Sequence, residues 1–208
     1  MAAGYGIVMP VAQRRLLLIS VVLLCVGAGA GLLWLRRDTP PRPAPRSHRG
    51  IVIHHTATAP TAGGQPVTAA TIDAMHRRRG FHVTDRDGTT YHVGYHYLIQ
   101  QDGTVLVGRP EHLPGAHTRG YPDMLGIALI GDFHRASNRG RRGPLAPPPA
   151  QLAAAERLTA ALLRKYRLTT GQLYLHRDLG QTACPGDGFP RRAFYADVAM
   201  LLARSEDW

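Results

Sequence analysis

A histidine and a cysteine eight residues apart, His176 and Cys184, are the first residues of this sequence whose types and spacing suggest chemistry. Eight residues of one helix would separate them by about 12 Å along its axis, too far to share an ion. Gly180 and Pro185 argue against a continuous helix, and a loop could bring both side chains to one point. Because imidazole nitrogen and thiolate sulfur are ligands that zinc prefers, the pair suggests part of a zinc site.

A third ligand is available in residues 51–56, an apolar run that ends in His54 and His55. Three protein ligands with an open fourth position are the catalytic form of a zinc site. Taken alone, a histidine at a strand end is more often structural or exposed than a ligand, and a lone cysteine is usually a small buried hydrophobe. The combination favours a metal site, and the spacing leaves open which of the two histidines is the ligand.

Composition and charge limit the class of protein. The chain has 208 residues, is 44% hydrophobic and carries a formal net charge of +11, so it can bury a core and is attracted to polyanions. Nucleic acid, anionic lipid and acidic cell-wall polymer all fit that charge. The arginines are scattered and form no recognisable nucleic-acid-binding motif, so we expect no specific nucleic-acid partner. The two cysteines, Cys25 and Cys184, are not expected to form a disulfide.

The N-terminal part divides into three segments. Residues 1–15 end in two arginines, and residues 16–35 follow without a charge, long enough as a helix to span roughly 30 Å of bilayer core. Residues 16–35 are either a transmembrane anchor or a signal segment cleaved after Ala30; the apolar continuation to Leu35 favours the anchor. Residues 36–49, rich in proline and arginine, are expected to form an extended tether.

The arginines around this segment argue against export. Two arginines precede residues 16–35 and five follow by residue 49, and the positive-inside rule would therefore keep the following domain in the cytoplasm. Long domains translocate largely regardless of charge, however. Because the function to which the motifs below point requires it, we expect the domain to lie outside the cytoplasm, anchored in the membrane through residues 16–35 or secreted if the signal is cleaved.

Residues 50–208 are expected to form a single α/β domain. The hydrophobic pattern predicts helices near residues 72–76, 152–166 and 194–202, a hairpin or lid-like loop at residues 82–92, and strands at 51–54, 94–99, 104–108, 126–131 and 173–176. Strands interleaved with helices predict a mixed central β-sheet flanked by about three helices. The strand ends that carry candidate ligands would then converge at one edge of the sheet.

Five ordered segments carry a family resemblance: IVIHHTAT, GYHYLIQQDGTVLVGRP, GAHTRGY, GIALIGDF and LYLHRDLGQTACPG. Together they resemble the zinc N-acetylmuramoyl-L-alanine amidases (type 2 amidases), a family that includes bacteriophage lysozyme-type amidases and animal peptidoglycan recognition proteins. The resemblance covers nearly all of residues 50–186. It implies a mixed-sheet fold, Zn²⁺ as cofactor, and peptidoglycan as partner and substrate. The bond cleaved would be the amide between N-acetylmuramic acid and the first L-alanine of the stem peptide.

The resemblance also implies roles for individual residues. The zinc ligands would be His54, His176 and Cys184. Tyr95 matches the catalytic tyrosine, and Thr182 occupies a catalytic position that is lysine in the phage enzymes. His117 and His55 would lie at the substrate groove.

An alternative is a peptidoglycan-binding module without catalysis. Family members that only bind tend to lack the cysteine ligand, so the presence of Cys184 and Tyr95 favours the enzyme.

Two departures from the family pattern bear on this choice. Thr182 brings no charge where a lysine would, which leaves the general acid unassigned. Residues 121–125 replace an Asn and a Ser that the family usually has before the Gly126 strand, which leaves the stem-peptide preference undefined.

Overall fold

The computed structural model describes residues 47–204. The predicted segments 1–15 and 16–35, and the tether up to residue 46, lie outside the described residues. Within residues 47–204, no helix combines the length and the apolar character needed to cross a membrane.

A five-stranded mixed sheet forms the centre of the described domain, as predicted. Nine strands are found in residues 47–204: β1 (Ile51–His55), β2 (Thr61–Ala62), β3 (Gln65–Pro66), β4 (Val83–Thr84), β5 (Thr90–Tyr91), β6 (Tyr97–Ile99), β7 (Val105–Val107), β8 (Leu125–Leu129) and β9 (Leu173–Leu175). The central sheet has the order β7-β6-β8-β1-β9. Strand β1 runs parallel to β8 and β9, β6 runs parallel to β8, and only β7 is antiparallel to its neighbour.

Three long helices and two single turns accompany the sheet: α1 (Ala69–Arg77), α2 (Arg135–Asn138), α3 (Pro149–Lys165), α4 (His176–Leu179) and α5 (Arg191–Ala203). Thr68 caps the start of helix α1: its hydroxyl accepts from the Thr71 amide at 3.2 Å while the Thr71 hydroxyl accepts from the Thr68 amide at 3.3 Å. Helix α3 begins with Pro149, whose missing N–H costs nothing at a helix start. The three long helices match the sequence prediction.

Strands β1 and β8 are buried along their whole length, which explains their continuous apolar runs. Alternate side chains of a strand point to opposite faces. Ile51 and Ile53 pack in the larger core cluster with Leu163 of α3 and Phe194 of α5. The next residue, His54, therefore faces the other side of the sheet. On that side a smaller cluster forms from Val67, Ile72, Val93, Leu98 and Ile130.

Several predicted boundaries differ from the structure, and for two of them the packing shows the reason. The strand predicted for residues 94–99 is observed only as β6, because Gly94 bonds elsewhere: its N–H donates to His76 Nδ1 at 2.9 Å and its C=O accepts from the Ala116 amide at 3.1 Å. The tether predicted for residues 36–49 ends early, since His48 is buried and its ring packs edge-on against Tyr166, 4.5 Å between centroids. Residues 82–92 form the predicted hairpin, from β4 and β5.

Candidate active site

Three side chains that the sequence singles out come together at the end of β1. The ligand atoms of His54, His176 and Cys184 all lie within 4.8 Å of one another, and Cys184 Sγ is 3.7 Å from His54 Nδ1. Tetrahedral zinc with Zn–N near 2.0 Å and Zn–S near 2.3 Å places a nitrogen and a sulfur ligand about 3.6 Å apart. The spacing and the donor set of two imidazoles and a thiol therefore fit a zinc ion.

The pairing of β1 with β9 brings the two histidines together. Ile53 and Leu175 are register partners on these parallel strands, and the residues that follow them in the chain are His54 and His176. The sequence predicted that His176 ends the last strand, but it is the first residue of α4. The chain turns there because the Asp178 carboxylate accepts from the Leu175 amide at 2.9 Å.

The loop after α4 folds back, as expected from Gly180 and Pro185, and delivers Cys184. The Arg177 amide donates to the Cys184 carbonyl at 2.9 Å, and the His55 amide donates to Cys184 Sγ at 3.3 Å. Gly186, with φ of 99°, lies directly on the backbone of Phe133, where a side chain would collide. These contacts hold the thiol against the end of β1.

Tyr95 lies over the ligand cluster from the loop before β6. Its ring centroid is 5.2 Å from that of His54 and 5.4 Å from that of His76. Burial raises the pKa of the Tyr95 hydroxyl. The hydroxyl therefore stays protonated at neutral pH and can donate a hydrogen bond.

His117 is buried beside His54, with 8% of its surface exposed. Its Nδ1 lies 3.0 Å from His54 Nε2 and 2.9 Å from Thr118 Oγ1, and its Nε2 lies 2.9 Å from the Met124 carbonyl oxygen. The His117 ring thus joins a metal-ligand candidate to the backbone just before β8.

The structure places His55 and Thr182 around Cys184. The His55 side chain points to the opposite face of β1 from His54, and its Nδ1 accepts from the Phe133 amide at 3.1 Å. Burial lowers the pKa of His55 to about 4, so the ring is neutral at neutral pH. Thr182 is exposed, and its Oγ1 accepts from the Cys184 amide at 3.2 Å.

Residues 44–187 match the sequence model of the family described as N-acetylmuramoyl-L-alanine amidase. The chain belongs to this amidase family. The family predicted from the five sequence segments is thereby confirmed.

Similar proteins fall on both branches of the predicted family. The endolysin of Enterobacteria phage T3 is 32% identical over 65% of this chain and 78% of its own length. Peptidoglycan-recognition protein SC2 of Drosophila melanogaster is 28% identical over 83% of this chain and 91% of its own. Among solved structures, the N-acetylmuramoyl-L-alanine amidase LysC from Clostridium intestinale URNW aligns with a TM-score of 0.58 at 32% identity, covering 73% of this chain and 85% of that one.

The electrostatics of this amidase-family site suit a cation. Burial lowers the pKa of His54 well below its usual value, helped by the neighbouring imidazoles, and burial also lowers the pKa of His176. Burial raises the pKa of the Cys184 thiol to about 12. The cluster by itself is therefore neutral, and a coordinated metal ion would deprotonate the thiol outright.

Two buried residues near the site escaped the sequence analysis. Thr118 lies with its hydroxyl 3.4 Å from His54 Nε2, and its only sequence signal is its place directly after His117. Asp132 is fully buried, accepts from Ser137 Oγ at 2.9 Å and lies 3.8 Å from His55 Nδ1. Its signal is an acidic residue two positions after Ile130, at the end of the buried run that begins with β8.

Proposed function

We propose that the domain is a zinc-dependent N-acetylmuramoyl-L-alanine amidase, which hydrolyses the amide between N-acetylmuramic acid and the first L-alanine of the peptidoglycan stem peptide. The observation that carries the proposal is the cluster of His54, His176 and Cys184 with Tyr95 over it. Membership of the family supports peptidoglycan as the polymer that the domain acts on or binds.

In the proposed reaction the zinc ion and the protein side chains would contribute different parts of the chemistry. A zinc ion held by the three ligands would supply Lewis-acid chemistry, which activates water and polarises an amide carbonyl. Tyr95 would donate its hydroxyl hydrogen to the oxygen on which negative charge develops. A donor aimed at that position typically contributes a factor of about 10²–10³ in rate.

Thr182 is proposed as a neutral second donor. Its Oγ1 accepts from the Cys184 amide, which uses an oxygen lone pair and not the hydroxyl hydrogen. That hydrogen can be turned to a substrate oxygen. The contribution would be smaller than that of a lysine at the same position, because a charged donor makes a hydrogen bond roughly twice as strong.

His55 and His117 have different relations to a substrate groove. The family resemblance implies that both line it. The His55 ring accepts from the Phe133 amide on the far face of β1, and the His55 amide donates to Cys184 Sγ. These contacts support a role for His55 in holding the site together.

A peptidoglycan-binding module without catalysis is the second candidate. The matches to peptidoglycan-recognition proteins favour it, since their names describe recognition. The complete ligand cluster favours the amidase, because a module that only binds needs neither the thiol nor the donor above it.

The location of the domain is also a proposal. Peptidoglycan lies outside the cytoplasm, so the domain would be exported, and residues 16–35 would be its membrane anchor or its cleaved signal segment. The net charge of +11 would attract the domain to an anionic wall or membrane surface.

The test uses the full-length chain purified with zinc and incubated with peptidoglycan. Mass spectrometry would detect stem peptide with a free L-alanine amino terminus, with and without a chelator. We expect release that the chelator stops and that Cys184→Ala abolishes. Retention of the polymer by a zinc-loaded chain without any release would support the binding module, and release insensitive to the chelator would contradict a zinc enzyme.

A further inference from the structure

We propose that His117 is a positioning residue that fixes the tautomer and orientation of His54 as a metal ligand, and does not contact substrate. The inference rests on the proposed zinc function and adds a role for a residue outside the ligand set. Its geometric basis is the continuous contact from the Met124 carbonyl through His117 to His54.

The direction of the hydrogen bonds follows from one fixed acceptor. The Met124 carbonyl oxygen can only accept, so His117 Nε2 carries the hydrogen of that 2.9 Å bond. A neutral imidazole has one N–H, so His117 Nδ1 presents its lone pair. His54 Nε2, 3.0 Å away, must then donate its hydrogen to His117 Nδ1.

The consequence for His54 is a free lone pair on the correct nitrogen. Since His54 Nε2 carries the hydrogen, His54 Nδ1 is bare, and Nδ1 is the atom 3.7 Å from Cys184 Sγ. The opposite tautomer would turn an N–H toward the thiol and block coordination. Ligand histidines typically donate the N–H of their second nitrogen to a partner that fixes the ring, and loss of that partner typically costs about 10–100-fold in metal affinity.

The His117 ring is held in a closely fitting slot. Gly115 and Gly126 flank it, and a side chain at either position would collide with the imidazole. The Tyr95 ring lies nearly parallel to it, with centroids 6.5 Å apart. With both nitrogens engaged and the ring enclosed, His117 is built to hold its neighbour and not to reach into a groove.

Thr118 completes the arrangement. Its Oγ1 lies 2.9 Å from His117 Nδ1 and 3.4 Å from His54 Nε2, beside the hydrogen that the two rings share. Because the single lone pair of His117 Nδ1 already accepts from His54 Nε2, the Thr118 oxygen acts as a second acceptor facing the same His54 N–H. The sequence pair His117-Thr118 therefore supplies two acceptors to one ligand hydrogen.

A matched pair of substitutions separates the two functions of the ring. In His117→Asn the side-chain oxygen can occupy the place of Nδ1 and accept from His54, whereas in His117→Gln the amide nitrogen occupies the place of Nε2 and keeps only the bond to Met124. Zinc affinity of each full-length variant would be measured by competition with a chelator of known affinity. His112→Gln, which removes a histidine paired with Asp85 away from the cluster, is the control.

We expect His117→Gln to weaken zinc binding about 10–100-fold, and His117→Asn and His112→Gln to stay within a few-fold of the wild type. Equal losses in the Gln and Asn variants, or wild-type affinity in His117→Gln, would overturn the inference while leaving the zinc function standing. A wild-type chain that takes up no zinc would overturn the proposed function and this inference with it.

A measurement without substitution covers the case in which a variant fails to fold. Proton–nitrogen NMR of the imidazole rings in the zinc-free wild-type chain reports which nitrogen of each histidine carries hydrogen. We expect His54 to be protonated at Nε2 and bare at Nδ1, and His117 to be protonated at Nε2. A His54 ring protonated at Nδ1 would overturn the inference.

Discussion

The adjacent histidines His54 and His55 of β1 have different roles, one at the metal cluster and one against the backbone, because they lie on opposite faces of the sheet. Side chains alternate along a strand, so His54 faces His176 and Cys184 while His55 faces the backbone of Phe133. Neither residue type nor burial distinguishes them, because both are buried histidines and burial lowers the pKa of both. The difference lies in which face of the sheet each ring occupies.

Replacing each histidine with alanine should therefore have different effects. His54→Ala should lose zinc with the fold intact. His55→Ala should keep zinc but lower the free energy of unfolding by about 1–3 kcal/mol, because the buried Phe133 N–H loses its acceptor. Zinc content by elemental analysis and chemical unfolding of both variants would check this. Zinc lost from a folded His55→Ala would mean that the ligand was assigned to the wrong histidine.

Tyr95→Phe removes the hydroxyl and keeps the ring, so it tests the hydroxyl alone. The ring packs against His54 and His76 and would remain, so zinc affinity and the melting temperature should stay near those of the wild type. Because the raised pKa of Tyr95 keeps its hydrogen in place as a donor, its loss should lower kcat about 10²–10³-fold. Turnover of a soluble muropeptide, followed by mass spectrometry, measures it. An unchanged rate would exclude a chemical role for the hydroxyl.

At the scale of elements, the sequence predicted those strands and helices whose burial gives them a regular apolar pattern. Strands β1 and β8 were predictable because both faces are covered and the runs are continuously apolar, and helix α3 because its apolar residues repeat at helical spacing. The single turn α4 was missed because His176 follows an apolar run that looks like strand. Only the Asp178 carboxylate, acting across three residues, ends β9 there.

The end of β9 depends on Asp178, so this residue should control the position of His176. Its Oδ2 accepts from the Leu175 amide and its Oδ1 pairs with Arg191 of α5 at 2.9 Å. Asp178→Ala should cost about 1 kcal/mol, the usual net contribution of one hydrogen bond, and should weaken zinc binding by displacing His176. Asp178→Asn keeps an acceptor for the Leu175 amide and should retain most of the affinity. Equal zinc affinities in all three proteins would show that the turn forms without the carboxylate.

The metal cluster was predictable only in part, for reasons of distance along the chain. His176 and Cys184 are close in sequence, so a folded loop could be inferred for them. The apolar run before His54 and His55 offered a third ligand, but the choice of His54 came from the family resemblance, since no local spacing relates His54 to His176 or separates it from His55. The contact of His117 with His54 depends on the packing of two loops against β1 and β8, and no sequence pattern encodes that packing directly.

At the scale of the whole molecule, buried ionisable groups set how stability depends on pH. Burial lowers the pKa values of His55, His76 and His117 to about 4 and that of His96 to about 3. The folded state therefore binds fewer protons than the unfolded state between those values and 6.5. Stability from these groups is complete above pH 6.5 and falls as the pH drops toward 4, so the melting temperature of the zinc-free chain should fall steeply across that window. A flat profile in calorimetry would contradict it.

Glu156 on α3 should act in the opposite direction. Burial, and then the charge of Asp197 on α5, raise its pKa to about 7 from the ordinary 4.5, and its Oε1 is buried without a hydrogen-bond partner within the described residues. The folded state then binds the extra proton, so this group costs stability as the pH rises from 4.5 through 7. Glu156→Gln, which cannot ionise, should raise the melting temperature relative to the wild type at pH 8 and leave it nearly unchanged at pH 4. Taking the difference between the two proteins cancels the contribution of the histidines, which both share.

Asp197→Asn should give a smaller rise in the melting temperature at pH 8, because it removes only the second cause of the pKa shift of Glu156. A Glu156→Gln variant less stable than the wild type at pH 8 would show instead that the carboxylate is paired in solution and that its charge stabilises the α3–α5 contact.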